Sequence, residues 1–575
     1  MNKTSIVLIS VFLICVSHNV LAQTEVKKFT LNGSARALAF LDNLEQDLVE
    51  TDTVTAPKSL SSHTLVDLGM KIKPGDNIEI QSMVRIRNDF GGFWGSGVTF
   101  DVRQLYVKGI IKDVVRYQVG DINYKLTPYT FYNTGTELAA YTPAVFSHLS
   151  DQINYDNFYS DDNTWRQQGA AVDFGIVFKK YIQEINWNVF TGRVAATNGS
   201  VPDRLFTAAN MTLVQSKYFD LGVNYTNLYD FNGTASTLEQ VKIPVTTVTA
   251  NAQHTIANFN FSLSGEAGKS TSEIINDSLA PVWSDNFFDS KIKAKYLPWN
   301  IEVFVQMKSV GADFRSPGAQ TKRISFNGVP AAYERITNDQ IIREFTMLDL
   351  LRESDIYNLQ LQNGLMEFDP KYDNITPYGE ATPNRQGFVL GVNWSGLKSA
   401  VTLNAAYSVL SEVRGQGTLT KRDFTRMEAG TTLEIGKLLK IDKKITLDAN
   451  TRSDATTRAG EAGVPSVDLQ NRVLGIGISA EVVSQLEILL GIEQHTFSGF
   501  EFTNQVNAYD EIINFNEYIV DGDQQLWGAG LRWNFSEKTY IMGQFNQFSW
   551  NNFNTLDVTP SYKINDFAFI YSMKF

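Results

Sequence analysis

The sequence predicts an all-β fold, a transmembrane antiparallel up-and-down β-barrel of about 22 strands with long loops at one end. Apolar and polar residues alternate with a period of two along most of the chain. Many alternating segments reach about ten residues, the length that a tilted strand needs to cross a bilayer, whereas soluble strands average about 5–6 residues. Short and long connections also alternate between the segments, as they do in outer-membrane barrels.

The composition fits this class. Aromatic residues make up 12% of the chain, and charged residues make up 19%, below the roughly 25% of soluble domains. The net charge of −12 argues against nucleic acid as a partner, because nucleic-acid-binding surfaces are basic. Beyond the N-terminus we find no run of 18 apolar residues, so we expect no helical membrane span.

Residues 1–22 predict a cleaved signal peptide. Lys3 gives the positive start, residues 6–16 form a short apolar core, and Val20-Leu21-Ala22 ends in a small residue before Gln23. The only cysteine, Cys15, lies inside this segment, so we expect no disulfide in the mature chain. Residues 23–575 are interpreted as one barrel domain. The short stretch before the first predicted strand disfavours a plugged TonB-dependent transporter.

The strands follow from the alternation in chain order. We predict them at 28–40, 62–73, 76–89, 97–111, 113–123, 168–180, 183–196, 206–216, 218–229, 240–255, 257–270, 287–297, 299–313, 386–396, 398–413, 422–438, 442–455, 470–483, 485–497, 523–535, 537–550 and 560–575. The even number places both termini on the periplasmic side. In the segment 537–550, Phe545, Phe548 and Trp550 leave strict alternation, which indicates a β-bulge.

The last predicted strand has one aromatic face that reaches the end of the sequence. This face consists of Phe567, Phe569, Tyr571, Met573 and Phe575. It resembles the C-terminal signal that the barrel-assembly machinery reads in bacterial outer-membrane barrels. With the signal-peptide end at Ala22-Gln23 and the aromatic, Asn-rich hairpins, the chain resembles the large porin-like outer-membrane barrels of Bacteroidota. The resemblance implies an outer-membrane protein with lipid and the assembly machinery as partners and no cofactor.

Two long loops are predicted at 124–167 and 314–385. The first is rich in aromatic residues, which is unusual for a disordered loop. In the second, apolar residues at helical spacing predict a short helix over roughly 338–353, with Thr337 and Gln340 at the spacing of a capping box. We expect both loops to fold into the barrel; a lid or a docking surface for other envelope proteins is the alternative.

Charged residues opposite the apolar faces are candidates for the pore lining. They are Arg85, Arg87, Arg103, Arg116, Lys291, Lys293, Lys295, Glu302, Arg426 and Glu428. The functional hypothesis is a hydrated channel in which rings of charge select solutes, with the early arginines suited to carboxylate or phosphate. The alternative is that these charges pair across the wall and only satisfy a polar interior.

The sequence therefore predicts an outer-membrane channel for small polar solutes, narrowed by its long loops. The alternative is a closed structural or accessory barrel of an envelope export or assembly complex. We expect no enzyme, because the histidines are scattered and neither a G-x-S-x-G element nor a phosphate-binding loop stands out. No metal or cofactor is expected.

Overall fold

The computed structural model describes residues 28–46, 58–89, 98–131, 140–153, 166–195, 197, 202–231, 240–275, 277–319, 347, 369–507, 511–554 and 561–575. Within them, 22 strands form one antiparallel sheet. Each strand pairs with the next along the chain, and the last pairs with the first. The sheet is therefore a closed up-and-down barrel, and the predicted fold class and strand number are confirmed.

All strands of the predicted order are present. They are β1 (Phe29–Gln46), β2 (Lys58–Gly75), β3 (Ile78–Asp89), β4 (Val98–Ile111), β5 (Val115–Asn123), β6 (Arg166–Val177), β7 (Glu184–Ala195), β8 (Arg204–Ser216), β9 (Phe219–Asp230), β10 (Gln240–Ile256), β11 (Phe259–Ile275), β12 (Trp283–Tyr296), β13 (Ile301–Val310), β14 (Arg385–Gly396), β15 (Val401–Ser411), β16 (Asp423–Glu434), β17 (Ile445–Arg458), β18 (Val467–Val483), β19 (Leu486–Val506), β20 (Ile512–Ser536), β21 (Thr539–Asn552) and β22 (Tyr562–Lys574).

The predicted strand ends are wrong mainly where long connections were expected. The segment 498–522, interpreted as a loop, belongs mostly to β19 and β20, and only residues 507–511 connect them. Pairing continues there, for instance between Phe500 and Ile519, and the rings of Phe502 and Phe515 lie 6.4 Å apart. Strand pairing needs only backbone partners, so it continues past the point where the alternating apolar pattern weakens.

At the end of the barrel opposite to the long connections, the strands are joined by tight turns. Lys112 and Asp113 both adopt positive φ angles between β4 and β5, as two-residue hairpin turns require. Leu397, Lys398 and Ser399 do the same between β14 and β15. The long and short connections therefore lie at opposite ends of the barrel, in agreement with the sequence.

Two short helices accompany the strands: α1 (Ala144–Ile153) and α2 (Ile435–Leu439). Helix α1 lies in the first long connection, where the sequence predicted no helix. The predicted strand 422–438 extends too far, because β16 ends at Glu434 and helix α2 follows it. Of the predicted helix 338–353, only Met347 is described, and it is helical and buried. The predicted signal peptide, 1–22, lies outside the described residues.

The predicted bulge in β21 is wrong. The register of β21 against both neighbours is continuous from Tyr540 to Trp550. Phe548 and Trp550 point to the buried face of the strand and belong to an apolar cluster with residues of α1. They break the alternating pattern because a loop segment covers them, so an inward aromatic residue is stabilised without any change of register.

Among the residues that the structure describes, no helix is long and apolar enough to cross a membrane.

Candidate functional site in the barrel interior

The two faces of the wall differ in chemistry. Along β13, Val303, Val305 and Met307 are exposed, whereas Gln306 and Lys308, on the other face, are buried. Since the sheet is closed, the exposed apolar face is the outer one, and the polar face encloses the interior. Both long connections contact this inner face, as the following contacts describe.

Helix α1 lies against the inner face of β18–β21. Val145, Phe146 and Leu149 are almost completely buried and pack with wall residues such as Leu489 and Leu526. The segment is also fixed by hydrogen bonds from the wall. The Nε2 atom of Gln544 donates to the carbonyl oxygen of Val145 at 2.9 Å, and the Nδ2 atom of Asn450 donates to that of Tyr141 at 3.0 Å.

Glycines of the wall make room for this segment. A Cβ atom built on Gly477 would lie 2.5 Å from Pro143, one on Gly491 would lie 2.6 Å from Val145, and one on Gly528 would lie 2.9 Å from Phe146. These three glycines are directly opposite one another on β18, β19 and β20. We call them the glycine row. They let the side chains of the loop approach the wall more closely than they could if the wall carried side chains at these positions.

His148 lies on α1 and is held in a neutral state. Its Nδ1 atom hydrogen-bonds the carbonyl oxygen of Ala144 at 3.0 Å, and its buried Nε2 atom has no hydrogen-bond partner among the residues that the structure describes. Burial lowers the pKa of His148 to about 4, and the nearby charge of Arg532 acts in the same direction. Protonation therefore opposes the docked position of the helix.

The start of the same connection is fixed at a second place. The Tyr129 hydroxyl donates to the Asp289 carboxylate at 2.7 Å, and the Thr127 hydroxyl donates to Glu266 at 2.7 Å. Burial, together with the negative charges of Asp289 and Glu380, raises the pKa of Tyr129 well above its usual value. The phenol is therefore a stable donor that connects the loop to β12, and the Thr127 hydroxyl connects the loop to β11.

The second long connection reaches the inner face too. Lys308 of β13 donates to Glu380 at 3.0 Å, and its positive charge holds the pKa of Glu380 below the usual value. The Ser316 hydroxyl donates to the carbonyl oxygen of Tyr129 at 2.7 Å. The two long connections therefore contact each other as well as the wall.

An open cavity of about 430 Å³ lies at the long-connection end. Its lining carries both signs of charge beside aromatic rings, and includes Trp283, Asp313, Arg414, Glu412, Arg422 and Glu501. Arg422 hydrogen-bonds both Glu412 and Glu501. Burial opposes its charge, but these two carboxylates outweigh burial and raise the pKa of Arg422. The cavity is therefore polar, with its charges held by protein partners.

The four predicted arginines of the early strands have different surroundings. Arg85 is buried and forms a two-pronged ion pair with Asp67, with hydrogen bonds of 2.6 and 2.7 Å. Arg87 lies two residues further along the same strand and is half-buried. Arg103 is half-buried at a shift in the β3–β4 register. Arg116 forms an ion pair with Asp173, and its side chain is 69% exposed.

The predicted residues of later strands also have partners. Lys291 lies 3.8 Å from the centre of the Phe304 ring, and Lys293 lies 3.6 Å from Glu302, which is directly opposite Lys295 in the register. The remaining two are Arg426, which hydrogen-bonds Asp454 and Asp373, and Glu428, which is opposite Arg452. Pairing across the wall therefore accounts for many of these charges, and their role in lining a conducting path stays a prediction.

Sequence reasoning missed the glycine row and the Tyr129 contacts. The glycines carried a usable signal: Gly491 and Gly528 fall on inward positions in the middle of strands, where a packed wall has no need of glycine. No sequence signal pointed to the partners of Tyr129, since Asp289 lies 160 residues away in the chain.

No protein-family model matches the sequence, and no curated protein matches it. Among solved structures, the chain is similar to a BenF-like porin from Pseudomonas fluorescens Pf-5, with 12% identity over 79% of this chain and 99% of that one and a TM-score of 0.38. It is also similar to Pseudomonas aeruginosa OccK2 (OpdF) in complex with glucuronate, with 10% identity, coverage of 78% and 95%, and a TM-score of 0.39. A third is the P pilus usher (PapC) translocation pore, with 6% identity, coverage of 94% and 99%, and a TM-score of 0.34.

Proposed function

We propose that this protein is an outer-membrane channel for small polar solutes, whose interior is narrowed by its two long connections. The observation that carries the proposal is the inner face, where charged side chains of both signs keep contact with water towards the short-connection end. The side chain of Lys108 is 45% exposed, that of Arg116 is 69% exposed and that of its partner Asp173 is 35% exposed, although the wall is closed. A solid core would leave such groups buried.

The membrane location is supported by the outer face. Large apolar side chains on this face are exposed on strand after strand, including Phe261, Val305, Leu390, Ile492 and Phe569. Such a large exposed apolar surface would be unstable in water, whereas lipid solvates it. A closed barrel leaves no unpaired strand edge in the bilayer, which meets the other requirement of a β-protein in lipid.

The narrowing is supported by the contacts of α1 and of Tyr129. Both parts of the first long connection are fixed to the inner wall by buried apolar contacts and hydrogen bonds. The cavity of about 430 Å³ would form the entrance on the long-connection side, and its size suits a small polar molecule.

Planar-bilayer recording tests the proposal. Purified wild-type protein is expected to give discrete conductance steps. The substitution Gly491→Leu is expected to raise the mean conductance severalfold, because the leucine would occupy the position of Val145 and displace the loop. Gly543→Leu is the matched control and should leave the conductance unchanged, since no atom of the described part of the chain lies within 4 Å of a Cβ atom at that position.

The second candidate function is a closed accessory barrel of an envelope assembly. The observation that favours it is the tight packing of α1, where Phe146 is fully buried in a cluster that spans the inner faces of several strands. Absence of conductance steps in both the wild type and Gly491→Leu, with correct folding shown by heat-modifiable mobility, would overturn the channel. Isolation in mild detergent as one stoichiometric complex would then support the accessory barrel.

A further inference from the structure

The short-connection end of the barrel carries an excess of lysine. The residues between paired strands at this end include ten lysines against four carboxylates, in a chain whose net charge is −12. The lysines are Lys112, Lys179, Lys180, Lys217, Lys398, Lys437, Lys440, Lys443, Lys444 and Lys538. They come from six of the ten short connections, those of β4–β5, β6–β7, β8–β9, β14–β15, β16–β17 and β20–β21, so the excess is spread over several sides of the wall. We call this set the lysine rim.

The densest part of the lysine rim is the connection 435–444, which contains α2. Its apolar residues Leu439 and Ile441 are exposed, and Leu439 is exposed by 65%. Lys440 lies between them and is also exposed. Such interleaving of exposed apolar and cationic side chains is typical of segments that sit at the boundary between acyl chains and headgroups.

Other connections repeat this chemistry with tyrosine. The Nζ atom of Lys180 lies 4.9 Å from the centre of the Tyr181 ring, and that of Lys217 lies 5.0 Å from the Tyr218 ring. Tyr181 is 79% exposed. Tyrosine at a membrane boundary keeps its ring towards the lipid and its hydroxyl in water, so these pairs are suited to the same interface.

We propose that the lysine rim binds the phosphate groups of anionic phospholipids in the leaflet that contacts the short-connection end. The inference rests on the proposed membrane location. Cations spread over several sides of the wall fit a ligand that surrounds the wall, and lipid does so. An acidic protein partner would need only one patch, and it would have no use for exposed leucines directed towards the acyl chains.

The test compares lipid retention by native mass spectrometry. The full chain in neutral detergent is mixed with equal amounts of phosphatidylglycerol and phosphatidylcholine. Wild type is expected to retain phosphatidylglycerol at least threefold more than phosphatidylcholine. The variant K437Q/K440Q/K444Q is expected to lose most of this preference. The control K242Q/K269Q/K421Q removes the same number of positive charges near the opposite end of the barrel. It should keep the preference for phosphatidylglycerol.

Three outcomes would overturn the inference: no preference in the wild type, equal loss in the two triple variants, or suppression of the preference by millimolar inorganic phosphate, which would indicate a site for a free anion. Insertion into vesicles of pure phosphatidylcholine is measured in parallel by heat-modifiable mobility. Wild type that fails to insert would contradict the membrane location itself. Wild type that inserts without lipid preference would contradict only the lysine rim.

Discussion

Arg422 illustrates how single residues hold the long-connection end together. Its guanidinium contacts Glu501 at 2.9 Å and Glu412 at 3.1 Å, and all three side chains are nearly inaccessible to water. Arg414 lies at the same cavity and forms a similar pair with Asp313, but its side chain is mostly exposed. The two arginines therefore offer a matched comparison of a buried and an exposed ion pair.

We expect Arg422→Met to lower the free energy of unfolding by about 3–5 kcal/mol, because it leaves two buried carboxylates without their cation. Arg414→Met should cost only about 0–1 kcal/mol, since the Arg414 side chain is mostly exposed and water screens its ion pair. Urea unfolding in lipid vesicles, followed by tryptophan fluorescence, measures both values. Equal losses for the two variants would contradict the assignment of Arg422 as a buried anchor.

At the scale of elements, the position of α1 depends on the fit between a helix and a wall. The glycine row supplies the space, Gln544 and Asn450 supply donors, and the apolar side chains supply the buried surface. Burying residues such as Phe146 contributes about 1.5–3 kcal/mol for each side chain. An ionisable group inside this contact therefore makes docking sensitive to pH.

His148 is that group, and the direction of its effect follows from its pKa. Because the docked value of about 4 lies below the ordinary 6.5, the undocked helix binds more protons between these values. Docking is at full strength above pH 6.5 and weakens as the pH falls towards 4. We expect the conductance of the wild type to rise over this interval.

His148→Asn is the control for this pH effect, because its amide can still donate to the Ala144 carbonyl but does not titrate. Its conductance should stay flat between pH 6.5 and 4. Planar-bilayer recordings at stepped pH measure both proteins. A rise of equal size in the variant would assign the effect to other groups.

At the scale of the whole molecule, the barrel depends on the pairing of its first and last strands. The backbone of Phe575 exchanges two hydrogen bonds with Gly33, at 2.9 and 3.0 Å. Phe567, Phe569 and Phe575 are exposed on the outer face, whereas Ala568 and Ile570 are buried inside. The role of the aromatic face in assembly stays a prediction. This face lies on the strand whose pairing with the first strand closes the barrel.

Phe575→Ala separates recognition from closure, because it keeps the backbone hydrogen bonds and removes only the ring. We expect the amount of assembled barrel in the membrane to fall severalfold, as an assembly signal requires. Phe553→Ala, at an exposed phenylalanine in a long connection, is the control. The heat-modifiable band of isolated membranes measures assembly. An unchanged yield for Phe575→Ala would remove the assembly role.

Much of the fold could be predicted from the sequence because strand patterns are local. The alternation in β11, β13 and β14 specified which residues face outward, and these faces agree with the observed exposure of Phe261, Val305 and Leu390. The strand number followed from counting such segments. The ends of β19 and β20 could not be predicted in this way, since pairing beyond the alternating segments depends on the partner strand.

The sequence by itself determined an all-β chain of 22 alternating strands, because an alternation with a period of two involves only residues that are neighbours in the chain. Only the tertiary structure decided what occupies the interior. Contacts such as Tyr129 with Asp289 or Val145 with Gln544 join residues 160 and 399 positions apart, and no local pattern encodes them. The inward Phe548 and Trp550 have the same origin, since they are stabilised by a loop that the sequence places far away.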